Sequence, residues 1–171
     1  LENHVIVSGG FDPIHIGHLN LINEASKLGK VIVIVNSDEF LLKKKGFYLI
    51  PSNERVEIIK NLKNVASVFL SIDKDASVSE SIKTLAADKS FNIKFFANGG
   101  DRKNDSDIPE KKICEENDIK LIFDVGGDKT QSSSSLFKEA IDIFNFYKNY
   151  TKKPWGSYLN LLKESNFLVK K

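Results

Sequence analysis

Hydrophobic residues along this chain follow two alternating rhythms. Short runs of β-branched and aromatic residues at 5–8, 31–36, 67–71, 93–97 and 120–124 read as strands, because such side chains suit a pleated, buried surface. Elsewhere apolar positions recur every three or four residues, which predicts helices at 17–29, 52–63, 77–88 and 107–117, and a last one at 133–147. In the first helix the stripe is Leu19, Leu21, Ile22, Ala25 and Leu28. Strand and helix alternating in this way is the pattern of a parallel sheet covered on both faces. The expected fold class is therefore α/β, a Rossmann-like doubly wound sheet of five strands. Ligands of such sheets sit at the carboxyl ends of the strands. That directs attention to the turn after the first strand and to residues 36–45, 98–102 and 125–135.

Length and charge narrow the picture. A chain of 171 residues, 41% hydrophobic, suffices for one well-buried domain and is short for two. Patterning changes near Tyr150, where Lys152-Lys153-Pro154-Trp155-Gly156-Ser157-Tyr158 interrupts the helical rhythm, so a domain at 1–150 and an extension at 151–171 are expected. With 25 basic and 23 acidic residues the formal charge is +2, too balanced for a nucleic-acid-coating surface, and no nucleic-acid partner is expected. The single cysteine, Cys114, excludes an intramolecular disulfide and offers no metal-ligand cluster. No run approaches the ~18 apolar residues of a membrane span, and the start lacks a basic segment followed by a long apolar one. A soluble, cytoplasmic protein without a membrane partner is the expectation.

The chemistry is concentrated in Gly9-Gly10-Phe11-Asp12-Pro13-Ile14-His15-Ile16-Gly17-His18, between the first strand and the first helix. A strand-to-helix turn of this kind presents backbone N–H groups and the positive end of a helix dipole, and so favours an anion. His15 and His18, three residues apart at the helix start, can face the same anion. His4, ahead of the motif, reads as incidental. Three other segments at the same end of the sheet offer polar groups: the lysines Lys43, Lys44 and Lys45; the turn Ala97-Asn98-Gly99-Gly100-Asp101-Arg102; and Gly126 through Ser135, where a serine hydroxyl can cap the last helix.

The run Phe11 to His18 behind Gly9-Gly10 resembles the HxGH signature of the nucleotidyltransferase superfamily, which includes cytidylyltransferases and several adenylyltransferases. The stretch from Asn36-Ser37-Asp38-Glu39-Phe40 through Lys44 to Arg55 is similar to the glycerol-3-phosphate cytidylyltransferase branch, with Lys44 at a phosphate-binding lysine and Arg55 at an arginine. A second lysine of that branch falls at Gly46 here, which leaves Lys45 as its substitute. The Gly99-Gly100-Asp101 turn looks like that of the heptose-1-phosphate adenylyltransferases. Lys129-Thr130-Gln131 leading into Ser133, Ser134 and Ser135 is similar to the superfamily's Arg-Thr-Glu-Gly-Ile-Ser-Thr-Thr motif, with Gln131 in place of its acid and Ser133 in place of its isoleucine.

These resemblances imply transfer of a nucleoside monophosphate from CTP or ATP to a phosphorylated small molecule, with release of pyrophosphate. Such a reaction gathers charge on phosphate oxygens and calls for positioned donors more than for a covalent nucleophile. His15, His18 and Lys44 are the implied catalytic residues. Gly9, Gly10, Phe11, Asp12, Gly17, Asn98, Gly99, Gly100, Asp101, Lys129, Thr130, Ser133, Ser134 and Ser135 would bind the nucleotide, and Arg55 and Arg102 the acceptor. Mg²⁺ is expected on the triphosphate rather than in a carboxylate cage of the protein. A homodimer is implied by the cytidylyltransferase branch. The Asp38–Arg55 match points to CTP and the Gly99–Asp101 match to ATP. Residues 71–81, with no tryptophan and only Lys74, disfavour glycerol 3-phosphate, while the likeness of the Gly99-Gly100-Asp101 turn to the heptose-1-phosphate adenylyltransferases and that of residues 153–171 to a phosphomannose isomerase imply a sugar phosphate as acceptor. The alternatives are a pyridine mononucleotide adenylyltransferase and a non-catalytic nucleotide-sensing domain. Residues 153–171 resemble the opening strands of the cupin domain in type II phosphomannose isomerases, which implies an excerpt of a fusion protein; the competing reading is an extension that packs on the domain or on a dimer mate.

Overall fold

Side chains on successive strand residues point to opposite faces, and here both sets are apolar. Val5, Val7, Val31, Val33 and Val35 join one buried cluster, while Ile6, Ile32 and Ile34 join another. The structure, a computed structural model, describes residues 2–99, 108–127 and 131–150. Its elements are β1 (Asn3–Gly9), α1 (Ile16–Ala25), β2 (Lys30–Val35), α2 (Asp38–Lys45), α3 (Ser52–Lys60), β3 (Val65–Leu70), α4 (Ser79–Ala87), β4 (Asn92–Gly99), α5 (Lys111–Glu116), β5 (Lys120–Val125) and α6 (Ser133–Tyr150). The strands form one five-stranded sheet in the order β3-β2-β1-β4-β5, and every neighbouring pair is parallel. This is the doubly wound α/β fold that the alternating pattern predicts.

The first cluster is closed by Leu21, Ile22 and Ala25 of α1 and Ile59 of α3, and the second by Ile82 and Leu85 of α4 and Cys114 of α5. Helices therefore cover both faces, and β1 and β2 are buried on each side. Each of these aliphatic side chains contributes about 1.5–3 kcal/mol on full burial, so the β1–β2 pair is the most firmly held part of the sheet. The chain winds outward from β1 in both directions, which puts the topological switch point between β1 and β4. A crevice at the carboxyl ends of those two strands is where this topology admits a ligand.

Three elements depart from the sequence expectation. Helix α1 stops at Ala25 rather than 29, because Lys27 and Leu28 donate to the carbonyls of Glu24 and Ala25 at 3.1 and 2.9 Å in a closing turn. Helix α5 spans only Lys111–Glu116. Residues 38–45, expected as loop, form α2. Packing divides the chain into two compact units, 1–133 and 134–171. Of the second unit, α6 is the described part. The extension at 151–171, including the cupin-like stretch, lies outside the described residues.

Cys114 lies within the second cluster with no exposed surface, and burial together with the nearby charges of Glu110 and Glu115 pushes its thiol up to about 12. A thiol so placed is neither ionised nor reachable near neutrality. Incubation with a disulfide reagent at pH 8 should leave the folded protein unlabelled and modify one thiol per chain after denaturation. Rapid labelling of the folded protein would contradict this packing.

Candidate active site

The turn after β1 is built around two buried charges. Asp12 is 1% exposed. Its carboxylate accepts from Lys45 Nζ at 2.9 Å, from the Leu49 N–H at 2.9 Å and from the Ile50 N–H at 2.8 Å. Burial pushes this carboxyl up, but the Lys45 ammonium and the two backbone donors outweigh it, so its pKa lies below the ordinary aspartate value of 3.8. Arg55, in the first turns of α3, has a side chain with no exposed surface. Its Nε donates to the Ile50 carbonyl at 2.8 Å, Nη1 to the Gly10 and Asn36 carbonyls at 2.7 Å each, and Nη2 to Asp38 Oδ1 at 2.6 Å. Together the two groups tie residues 46–50 across the ends of β1 and β2.

Two of the residues expected at the site are turned inward. Arg55 is buried, where four hydrogen bonds engage it. The Asp12 carboxylate likewise points inward and anchors the 46–50 loop. Phe11 is buried too. Lys45, the substitute for the missing second lysine, is the partner of Asp12. Lys43 is paired with Glu39 at 3.0 Å and donates to the Lys74 carbonyl at 3.1 Å. Lys44 is exposed on α2, with its ammonium 5.7 Å from the centre of the Phe40 ring.

The two histidines come together as the sequence implies. His15 is the N-cap of α1, and its Nδ1 accepts the Gly17 N–H at 3.1 Å. His18 reaches back, its Nδ1 accepting the His15 N–H at 3.3 Å. The two rings lie 3.8 Å apart, inclined by 32°. A ring nitrogen that accepts a hydrogen bond carries no proton, so in each neutral imidazole the proton is on Nε2. The pair therefore presents two N–H donors at the positive end of α1. Gly17 leaves room for this: a Cβ there would stand 3.0 Å from His15 Cε1 and 3.1 Å from its Nδ1.

Other parts of the carboxyl edge converge on the same turn. Register pairs Val7 with Ala97, so Asn98 and Gly99 follow beside the end of β1, across the switch point. Ser133 donates its hydroxyl to the Pro13 carbonyl at 2.8 Å. Ser134 and Ser135 continue into the second unit. Gly100, Asp101, Arg102, Lys129 and Thr130 lie outside the described residues. His4 is structural: its Nδ1 accepts the Asn92 N–H at 3.2 Å, joining the beginnings of β1 and β4. Among the described residues, no group of three or more His, Cys, Asp or Glu is placed to hold a metal ion, and no helix is long and apolar enough to cross a membrane.

What the sequence expectation missed is α2 and the pairing it permits. The signal was present in the caps. Ser37 Oγ accepts the Phe40 N–H at 3.1 Å, Asp38 and Glu39 occupy the first turn, three lysines the last, and Gly46 closes the helix at φ 80°.

A doubly wound sheet with paired imidazole donors on a glycine-rich turn at its switch point defines a nucleotidyltransferase. Comparison with known proteins agrees. Residues 6–141 match the cytidylyltransferase-like family model, and the chain belongs to that family. It is similar to the FAD synthase of Methanohalobium evestigatum, with 32% identity over 115 residues, 67% of this chain and 71% of that protein. It is also similar to the FAD synthase of Pyrococcus abyssi, with 37% identity over 86 residues, 49% of this chain and 57% of that protein. Among solved structures, the lipopolysaccharide core biosynthesis protein of Thermoplasma volcanium superposes with a TM-score of 0.61 at 23% identity, covering 72% of this chain and 96% of that one, a likeness of fold.

Two tests follow from the buried charges. Arg55→Met would strand three carbonyls and the Asp38 carboxylate, and a denaturant titration should show a loss of about 3–5 kcal/mol, as when one partner of a buried ion pair is removed. A loss under about 1 kcal/mol would show the guanidinium to be dispensable. Because the Asp12 pKa is depressed in the folded state, its stabilisation is present above the ordinary value of 3.8 and is lost as pH falls through the lower, folded value. Asp12→Asn should therefore be less stable at pH 7 and show a shallower stability loss below pH ~4 than the parent. Parallel acid profiles for the two proteins would contradict the assignment.

Proposed function

We propose that this protein transfers the adenylyl group of MgATP to the phosphate of flavin mononucleotide, forming FAD and pyrophosphate. The observation that carries nucleotidyl transfer at this site is the His15–His18 pair, with each Nδ1 held by a backbone N–H, which places the proton of each neutral ring on Nε2. The similarity to two FAD synthases supports the acceptor and the base. FAD joins AMP to flavin mononucleotide through a pyrophosphate bridge, so its synthesis by this chemistry takes ATP and a flavin phosphate. That reading favours a flavin phosphate over the sugar phosphate suggested by the Gly-Gly-Asp turn, and ATP over CTP.

In the reaction an acceptor phosphate oxygen attacks the α-phosphorus, a new P–O bond forms, and the bond to the bridging oxygen of the β-phosphate breaks. The electron pair leaves with pyrophosphate. A phosphate monoester already carries about −1.5 to −2 charge at pH 7, so the attack needs no general base. Imidazoles fixed as Nε2–H donors suit this requirement, because they stabilise charge without having to move a proton. The N-terminal end of α1 adds its dipole to the same field, and Lys44, exposed on α2, is the lysine of its run assigned here to the phosphates. Mg²⁺ enters as part of the nucleotide substrate, neutralising the pyrophosphate that departs.

His15→Asn retains an acceptor at the N-cap of α1 while removing the Nε2–H donor. With His18→Ala, it should lower kcat by about a hundredfold to a thousandfold while the thermal unfolding transition persists. Lys44→Ala should lower kcat well beyond Lys43→Ala. The deciding assay crosses ATP and CTP with flavin mononucleotide, pyridine mononucleotides and sugar phosphates, reading pyrophosphate release and FAD fluorescence. FAD formed from ATP and flavin mononucleotide alone sustains the proposal. Turnover with a sugar phosphate but not with the flavin would overturn the acceptor.

A further inference from the structure

Phe11 carries a bulky side chain on a backbone that L-residues avoid: its φ is 51°, in the left-handed region where Cβ crowds the neighbouring carbonyl. The residue is 2% exposed, and it belongs to the apolar cluster of Val5, Val7, Leu21 and Ile22. Its contacts show what the unusual backbone achieves. On one side the ring closes on Gly9, where a Cβ would stand 3.2 Å from Phe11 Cε2 and Cζ. On another its centre is 4.7 Å from that of His18, with the planes inclined by 48°. His18 in turn lies 3.8 Å from His15. Three rings thus stand in a row, Phe11, His18 and His15, with the first rooted in the hydrophobic core. A negative φ would send the Cβ elsewhere and take the ring out of the row.

We propose that Phe11 is a positioning residue for nucleotidyl transfer, bracing the His18 imidazole, and through it His15, in the setting that keeps each Nδ1 on its backbone N–H and so keeps Nε2 the protonated nitrogen of each ring. The inference rests on the nucleotidyl-transfer reading of the site, and it extends that reading from the two donors to the group that aims them. Offset aromatic contacts fix relative ring orientation, and donors that act on a transition state lose effect steeply when misplaced by an ångström. The brace therefore acts on kcat more than on nucleotide affinity.

The test compares Phe11→Leu, which keeps apolar volume but removes the ring, with Ile22→Val, a truncation in the same cluster. Both proteins are assayed for kcat and KM and for thermal stability. Both are also examined by nitrogen-15 NMR of labelled histidine, which distinguishes an Nε2–H tautomer from an averaged ring. The parent should show both active-site histidines fixed as Nε2–H. In Phe11→Leu, kcat should fall by about tenfold or more with KM changed by less than about threefold, and the His18 nitrogen shifts should move toward averaging. Ile22→Val should show neither effect. If Phe11→Leu fails to fold, Phe11→Met, whose flexible thioether fills irregular gaps, is read by the same criteria. His18 shifts left unchanged, or a kcat loss no greater than that of Ile22→Val, would overturn the proposal. The tautomer measurement needs no turnover: a parent inactive with every substrate would count against nucleotidyl transfer, while the NMR comparison would still decide the brace.

Discussion

The guanidinium of Arg55 is the group on which the rest of the site is hung. It joins the carbonyls of Gly10 after β1, Asn36 after β2 and Ile50 before α3, and pairs with Asp38 at the start of α2. Burying a charge so completely is costly unless its donors are used, and here they are used on segments that come together only when the sheet is formed. Asp12 mirrors the arrangement with opposite sign, drawing the Leu49 and Ile50 N–H groups and the Lys45 ammonium onto the turn. The 46–50 loop is thereby held by a cation on one side and an anion on the other. A turn held in this way presents its donors without rearrangement when charge develops on a phosphate, which is the condition under which such donors are most effective.

The proposed chemistry falls to the histidines and Lys44, which take no part in these two buried pairs. Lys43 answers Glu39 and Lys45 answers Asp12, so two of the three consecutive lysines are engaged within the protein. The middle one, exposed, has its ammonium 5.7 Å from the centre of the Phe40 ring. Neighbours in sequence thus divide between structure and chemistry according to the helical turn on which each falls.

The fold was legible because both faces of β1 and β2 are apolar and α1 and α4 carry clear helical stripes. Periodicity is a record of burial, and burial is what built the sheet. His15 and His18 were legible because a glycine-rich turn opening a helix has one physical use that suits paired imidazoles. Helix α2 was not, since only Phe40 and Leu41 of its eight residues are buried and no apolar stripe marks it. Its evidence lay in capping chemistry. The inward placement of Arg55 and Asp12 was not legible either: a charged residue near a phosphate turn reads as a ligand, and whether it faces outward or inward is decided by partners 5 to 45 residues away for Arg55 and 33 to 38 residues away for Asp12. The value of the acceptor clues was similarly limited, because the flavin reading draws on relatives rather than on any residue pattern.

The central claim is that the described turn directs attack at the α-phosphorus of a nucleoside triphosphate. Following the fate of ATP labelled at the α-phosphate, with flavin mononucleotide as acceptor, tests it most directly. The account predicts that the label appears in the flavin product and that the pyrophosphate released is unlabelled. Recovery of the label in ADP, with a γ-phosphoryl group passed to the acceptor, would contradict it.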